Sequence, residues 1–238
     1  MADGIQLAGA SMIRQQVRQD MLASNLANLS TPGFKATRVF QDVLSDVDAG
    51  AARNAEGAQR VYIDFSQGTI RPTGADLDMA LEGEGFFTVL TPNGERYTRD
   101  GGFGLSGDGT LVDRSEYPVL GESGPIVLDG ARTIEVDESG EIFAGGESIG
   151  RLEIKNFTNT EELRHEGAGL FAPRPGARLQ ETEPDVRVHQ RCLEDSNVNT
   201  IDETIRMTTL LRGYEASQRM LQLQNEALGR VVNELVQG

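Results

Sequence analysis

Residues Leu193–Gly238 read LEDSNVNTIDETIRMTTLLRGYEASQRMLQLQNEALGRVVNELVQG, and they decide the fold together with Ala8–Phe34, AGASMIRQQVRQDMLASNLANLSTPGF. Both stretches are helix-patterned. In the C-terminal one, apolar positions run Ile201, Ile205, Thr208 and Leu211, then Tyr214, Leu221, Leu228, Val231, Val232 and Leu235. The polar run Ser196–Asn199 precedes them, so a cap is expected at Asn199 or Thr200. Such a helix would be roughly 50 Å long at ~1.5 Å per residue. At the N-terminus, Ile5, Ala8, Met12, Gln15, Gln19, Leu22, Leu26 and Leu29 follow a 3-4 spacing, which predicts an amphipathic helix. It should stop near Leu29, because Ser30-Thr31-Pro32-Gly33 resists helix continuation. Two long amphipathic ends predict each other as partners in a coiled coil, and polar seam residues such as Arg212, Gln218 and Asn225 suggest contacts between subunits.

Between the ends the chain changes character. Its 28 glycines among 238 residues point to many tight turns. Trp is absent and aromatics make up 5%, so a mainly aliphatic core is expected. Strand-like runs are expected around Arg60–Phe65, Phe87–Leu90, Arg96–Thr98, Thr110–Asp113, Tyr117–Leu120, Ile126–Leu128, Thr133–Val136, Glu141–Phe143, Gly150–Phe157 and Val186–Gln190. Pro92-Asn93-Gly94 is a strong hairpin signal. Residues 47–59 read as a loop and Thr158–Arg164 as a short capped helical turn. The expected class is therefore α+β, with terminal helices pairing as a coiled coil around a central antiparallel β-rich domain. The expected segments are 1–33 and 193–238 as core helices, 34–75 as a connecting segment and 76–192 as an outer β-domain.

Charge narrows the function classes. The net charge is −15, and all but one of those charges fall in 31–195. No basic stripe exists to neutralise phosphates, so neither nucleic acid nor an anionic membrane surface is an expected partner. No apolar run is long enough for membrane insertion. The start, MADGIQLAGASMIRQQ, lacks a basic region followed by an apolar one, so no cleaved signal peptide is expected.

Candidate chemistry is thin. Gly102–Gly107 spells GxGxxG, but DGTLVD follows, a strand rather than the helix a dinucleotide site needs. Gly146–Gly150 spells GxSxG around Ser148, which defines a rival reading as a serine hydrolase; RLEIKNF after it is again strand-like. His165, His189 and Cys192 are too scattered for a zinc site. No catalytic residue, cofactor or metal is expected.

SNLANLSTPGFKA (Ser24–Ala36) resembles the signature of bacterial flagellar rod and hook proteins. LDMALEGEGFFTV (Leu77–Val89) with YTRDGGFGLSGDGTLVD (Tyr97–Asp113) is similar to that family's central part, and LEDSNVNTIDETIRMTTLLRGYEASQRM (Leu193–Met220) to its C-terminal signature. YPVLGESGPI (Tyr117–Ile126), IGRLEIKNF and LRHEGAGLF look more like the proximal-rod than the distal-rod members. The resemblance implies a non-enzymatic structural subunit of the basal-body rod that transmits torque. It implies export by the flagellar export apparatus without a cleaved signal, and helical assembly in the periplasm with other rod proteins and copies of itself. Leu22, Leu26, Leu29, Ile201, Ile205, Leu211, Leu228 and Val232 are the expected helical core. Asn25, Asn28, Pro32, Gly33, Phe34, Asn197, Asn199, Tyr214 and Glu215 are the expected register and subunit-contact residues.

Overall fold

The computed structural model describes residues 2–40, 60–128, 133–179, 181–182 and 185–237. Among them are two α-helices, α1 (Ala2–Ala27) and α2 (Thr200–Gln237), one 3-10 turn and nineteen strands. The residues group into two compact units. One comprises Met1–Ala27, Val39–Arg60 and Asn199–Gly238; the other comprises Asn28–Arg38 and Val61–Val198.

The second unit is built on a six-stranded antiparallel sheet. Its order is Leu163–Gly167, Leu170–Pro173, Gly94–Thr98, Phe86–Thr91, Ile154–Phe157, Glu181–Thr182. The central strand Phe86–Thr91 alternates its side chains between two cores. Phe87 and Val89 join a largely aliphatic cluster with Met79, Leu81, Leu111, Val119, Leu128 and Ile142. Phe86 joins an aromatic one with Tyr97, Phe157, Leu163 and Phe171, where Phe86 and Phe171 meet edge-on at 5.8 Å. The expectation of an aliphatic core therefore holds for only one of the two. Pairing of Thr91 with Gly94 leaves Pro92-Asn93 as the two-residue loop of the expected hairpin, and Gly94 takes φ +101° there.

Two antiparallel pairs flank this sheet: Met79–Glu84 with Asp185–Gln190, and Ile70–Pro72 with Cys192–Glu194. Ile134–Val136, Glu141–Ala144 and Glu147–Arg151 form a separate three-stranded meander. Thr158–Arg164 departs from expectation. Only Thr160–Glu162 makes a 3-10 turn, and Leu163 starts a strand. Pairing with Leu170–Pro173 overrides the helix preference of Glu-Glu-Leu-Arg. The expected loop at 47–59 lies outside the described residues.

The expected fold class needs correction. Most elements are strands, so the chain is mainly a β-protein carrying two helices, and among the described residues these helices do not form a coiled coil. In a coiled coil each seam residue fills a hole on the facing helix. Here Ile201 and Ile205 are 71% and 59% exposed, and Leu211 and Tyr214 are exposed as well. On α1, Ile13 and Val17 are exposed too. Where the helices approach within their unit, a cavity of about 480 Å³ remains, lined by Met21 and Leu22 on one helix and Ile205 and Leu210 on the other. Among the described pattern residues Leu22 is buried and Leu26 half-buried on α1, whereas Ile201, Ile205 and Leu211 on α2 are left exposed. Helix α2 does start at the expected cap. Asn199 Oδ1 accepts the Ile201 and Asp202 amides at 3.0 and 3.3 Å.

Candidate functional site

The segment STPGFK (30–35) meets LEDSNV (193–198) inside the β-rich unit. After Asn28 the chain turns, with Thr31 donating its amide to the Asn28 carbonyl at 3.1 Å. Pro32 bars a further helical turn. Gly33 then adopts φ +67° and donates its amide to the Glu194 carbonyl at 2.7 Å. A Cβ at this glycine would lie 2.2 Å from the carbonyl carbon of Arg99, so only glycine fits. The turn delivers Phe34 to a small cluster with Ala36, Val198 and Leu29. Burying that ring is worth about 1.5–3 kcal/mol.

Asn197 fastens the two segments side by side. Its Oδ1 accepts the Ala36 amide at 2.8 Å. Its Nδ2 donates to the carbonyls of Asp64 and Ser66 at 2.8 and 3.0 Å. The Asp64 amide in turn donates to the Ala36 carbonyl at 2.8 Å. One carboxamide therefore uses both its ends, which neither Asp nor Leu could do.

Beneath lies a fully buried ion triad. Glu194 Oε1 accepts from Lys35 Nζ at 2.6 Å and from the Gly68 amide at 2.7 Å. Its Oε2 accepts from Arg99 at 3.4 Å. Lys35 Nζ also donates to the Ser66 carbonyl at 2.7 Å, and Arg99 to the Gly83 carbonyl at 2.7 Å. Both Lys35 and Glu194 are 0% exposed. Two cations share one carboxylate, and Asp64 acting on Lys35 and Glu84 acting on Arg99 offset part of the excess positive charge. The Phe86 ring, 5.3 Å from the Arg99 guanidinium carbon, offsets part of it. Burial pulls the Lys35 ammonium below its usual range, while Glu194 pulls it back up.

Of the residues expected from sequence, Gly33, Phe34 and Asn197 converge here, with Leu29 packed against the cluster and Pro32 and Asn28 shaping the turn. In the helical unit Leu22 and Asn25 are buried and Leu26 is half-buried. Ile201, Ile205, Leu211, Tyr214 and Glu215 face solvent. The side chains of Leu228 and Val232 lie outside the described residues. Sequence reading missed Lys35, Arg99 and Glu194, and considered His165 only as a metal ligand. A lysine directly after the Pro-Gly-Phe turn was the available signal, but its carboxylate is 159 residues away.

The two letter-motifs take no catalytic form. Ser148 sits in the strand Glu147–Arg151 and donates to Glu141 Oε1 at 2.6 Å, with no strand-to-helix elbow. Gly102–Gly107 leads into the strand Leu111–Val112 rather than a helix.

These segments coincide with known families. Residues 5–35 match the flagella basal body rod protein model, and 80–144 match the flagellar hook protein FlgE/F/G D1 domain. Residues 189–235 match the flagellar basal body rod FlgEFG protein C-terminal model. The chain is 32% identical to the flagellar basal-body rod protein FlgF of Rhizobium meliloti, covering 99% of this chain and 98% of the relative. It is 30% identical to FlgF of Caulobacter vibrioides over 85% of each chain. Identity to FlgG of Borreliella burgdorferi is also 30%, over 96% of each. The chain belongs to the flagellar basal-body rod protein family.

Proposed function

We propose that this chain is a structural subunit of the flagellar basal-body rod, of the FlgF type. The observation that carries the proposal is the apolar surface left exposed on the helical unit: the neighbouring Ile201 and Ile205 on α2, with Leu211 and Tyr214 further along it and Ile13 and Val17 on α1. Apolar surface arranged along helices and left uncovered is surface for other subunits. A contact between unlike faces of successive copies or relatives would propagate as an open helix, the form a rod requires. The joint around Glu194 would hold the N- and C-terminal segments in fixed register, so that torque passes through a rigid unit. Asn28, Pro32, Gly33, Phe34, Asn197, Asn199, Tyr214 and Glu215 would set that register. The partners would be other rod proteins and copies of itself, reached through the flagellar export apparatus, in the periplasm. No catalytic role is proposed for Ser148.

The test is a double substitution, Ile201→Glu with Ile205→Glu. Both side chains are exposed, so the monomer should keep its stability to within about 0.5 kcal/mol. Motility and recovery of the protein in purified basal bodies should both be lost. A variant that swims and assembles normally would remove the helical face from the assembly surface.

A further inference from the structure

We propose that the cavity between α1 and α2 is a socket for a second copy of this chain, filled by Leu211 and Tyr214 of that copy, with its Glu215 set against Arg18 and Arg206. The proposal rests on the reading of the chain as a rod subunit, and it names the partner and the side chains that meet.

The socket lies within the helical unit. Its floor is apolar, with Met21 and Leu22 from α1 and Ile205 and Leu210 from α2. Its volume of about 480 Å³ lies within the ~300–1,000 Å³ of ordinary ligand pockets, ample for a phenol ring beside a leucine side chain. Polar groups also line it. Arg18 and Arg206 bring two guanidinium groups. In a chain of net charge −15, a pair of arginines at one hole selects an acidic occupant. Gln15 Oε1 is buried there without a hydrogen-bond partner among the described residues. A buried acceptor left unpaired is destabilising, so an occupant that brings an O–H or N–H is favoured over a purely apolar one.

The chain carries this combination on its own surface. Leu211, Tyr214 and Glu215 are all exposed on α2. Spacings of three and four residues from Leu211 make them one cluster on the helix surface. The phenol O–H is the donor that Gln15 Oε1 lacks, and the carboxylate is the counter-charge for the arginines. The cluster does not serve its own socket. At about 100° per residue, Ile205, Arg206, Thr209, Leu210 and Gly213 share one side of α2. Leu211 and Glu215 fall on the far side, with Tyr214 between. Glu215 also stands nine residues beyond Arg206, about 14 Å along the axis. The cluster therefore meets the socket of another copy. Such a contact joins unlike faces and leaves one socket and one cluster free at the ends, so it propagates.

The experiment is a charge exchange in the full chain, expressed in the source bacterium in place of the native protein and read as recovery in purified basal bodies. Glu215→Arg should lower recovery by about tenfold or more, because it sets like charges against Arg18 and Arg206. Adding Arg206→Glu should restore recovery, since each copy then carries its arginine on the cluster and its glutamate in the socket. Both residues are exposed, so thermal melts of the purified variants should match that of the native chain. If a variant melts early, benzoylphenylalanine in place of Tyr214 in the otherwise native chain decides. Irradiation of basal bodies should then give a dimer of this chain, joined near Met21. Full recovery of Glu215→Arg, no restoration by Arg206→Glu, or a cross-link that is absent or made to a different rod protein overturns the socket and leaves the chain a rod subunit. Absence of even the native chain from basal bodies removes the rod reading itself, and the socket with it.

Discussion

Glu194→Ala is expected to destabilise the β-rich unit by about 3–5 kcal/mol, read as a lowered denaturation midpoint with an unchanged slope. The magnitude follows from what remains behind. Lys35 and Arg99 would sit at 0% and 4% side-chain exposure without their shared counter-charge. The Gly68 amide would also lose its acceptor. The two cations have different escape routes. Arg99 cannot shed its proton, but Lys35 can. Burial already holds the lysine below its unfolded value, and removing Glu194 removes the main force pulling it back. A base whose folded value is depressed gains stability as pH rises, because the unfolded chain binds the extra proton. The deficit of Glu194→Ala should therefore shrink as pH rises towards the unfolded lysine value of 10.5, whereas native Glu194 makes the wild type less responsive. A deficit that stayed constant over that rise would mean that Lys35 is not the stranded charge.

Gly33→Ala should be of similar size, at least about 3 kcal/mol, for a reason unrelated to charge. Two penalties coincide at this position. The backbone holds φ +67°, and the new methyl would overlap Arg99 and Asp100 backbone atoms at 2.2–2.5 Å. Main chain cannot swing aside as a flexible side chain can. Gly74 is the control. It holds φ +82°, but nothing lies within 4 Å of its would-be Cβ, so Gly74→Ala should cost only the backbone strain of about 1–2 kcal/mol. Equal losses at the two glycines in denaturant melts would show that the close approach of Gly33 to Arg99 contributes nothing.

The legible parts of the fold were those written in local chemistry. The Pro32-Gly33 stop, the Asn199 cap and the Asn93-Gly94 hairpin each follow from backbone preferences within a few residues. The existence of both helices followed from the 3.6-residue period. What covers an amphipathic face is not local. The same spacing of Ile201, Ile205 and Leu211 would serve a partner helix of this chain or a neighbouring molecule, and here those residues remain exposed. Strands built from helix-favouring residues were hidden for a related reason. Met79–Glu84, MALEGE, is a strand because Asp185–Gln190 pairs with it along its whole length. The same holds for Leu163–Gly167 against Leu170–Pro173. At the candidate site, motif residues marked the place but not its mechanism. Asn197 and Phe34 stood in recognisable segments. The carboxylate that pairs with Lys35, and the His165 ring that stacks on Phe34, lie 159 and 130 residues beyond Lys35.

The most direct test is a side-chain-resolution map of basal bodies purified from the source bacterium. The rod assignment predicts density for this chain in the rod, with Ile201, Ile205 and Leu211 buried against another subunit and the Lys35–Glu194–Arg99 triad intact. A map in which the chain is absent from the rod, or present with that face still open to solvent, would contradict it.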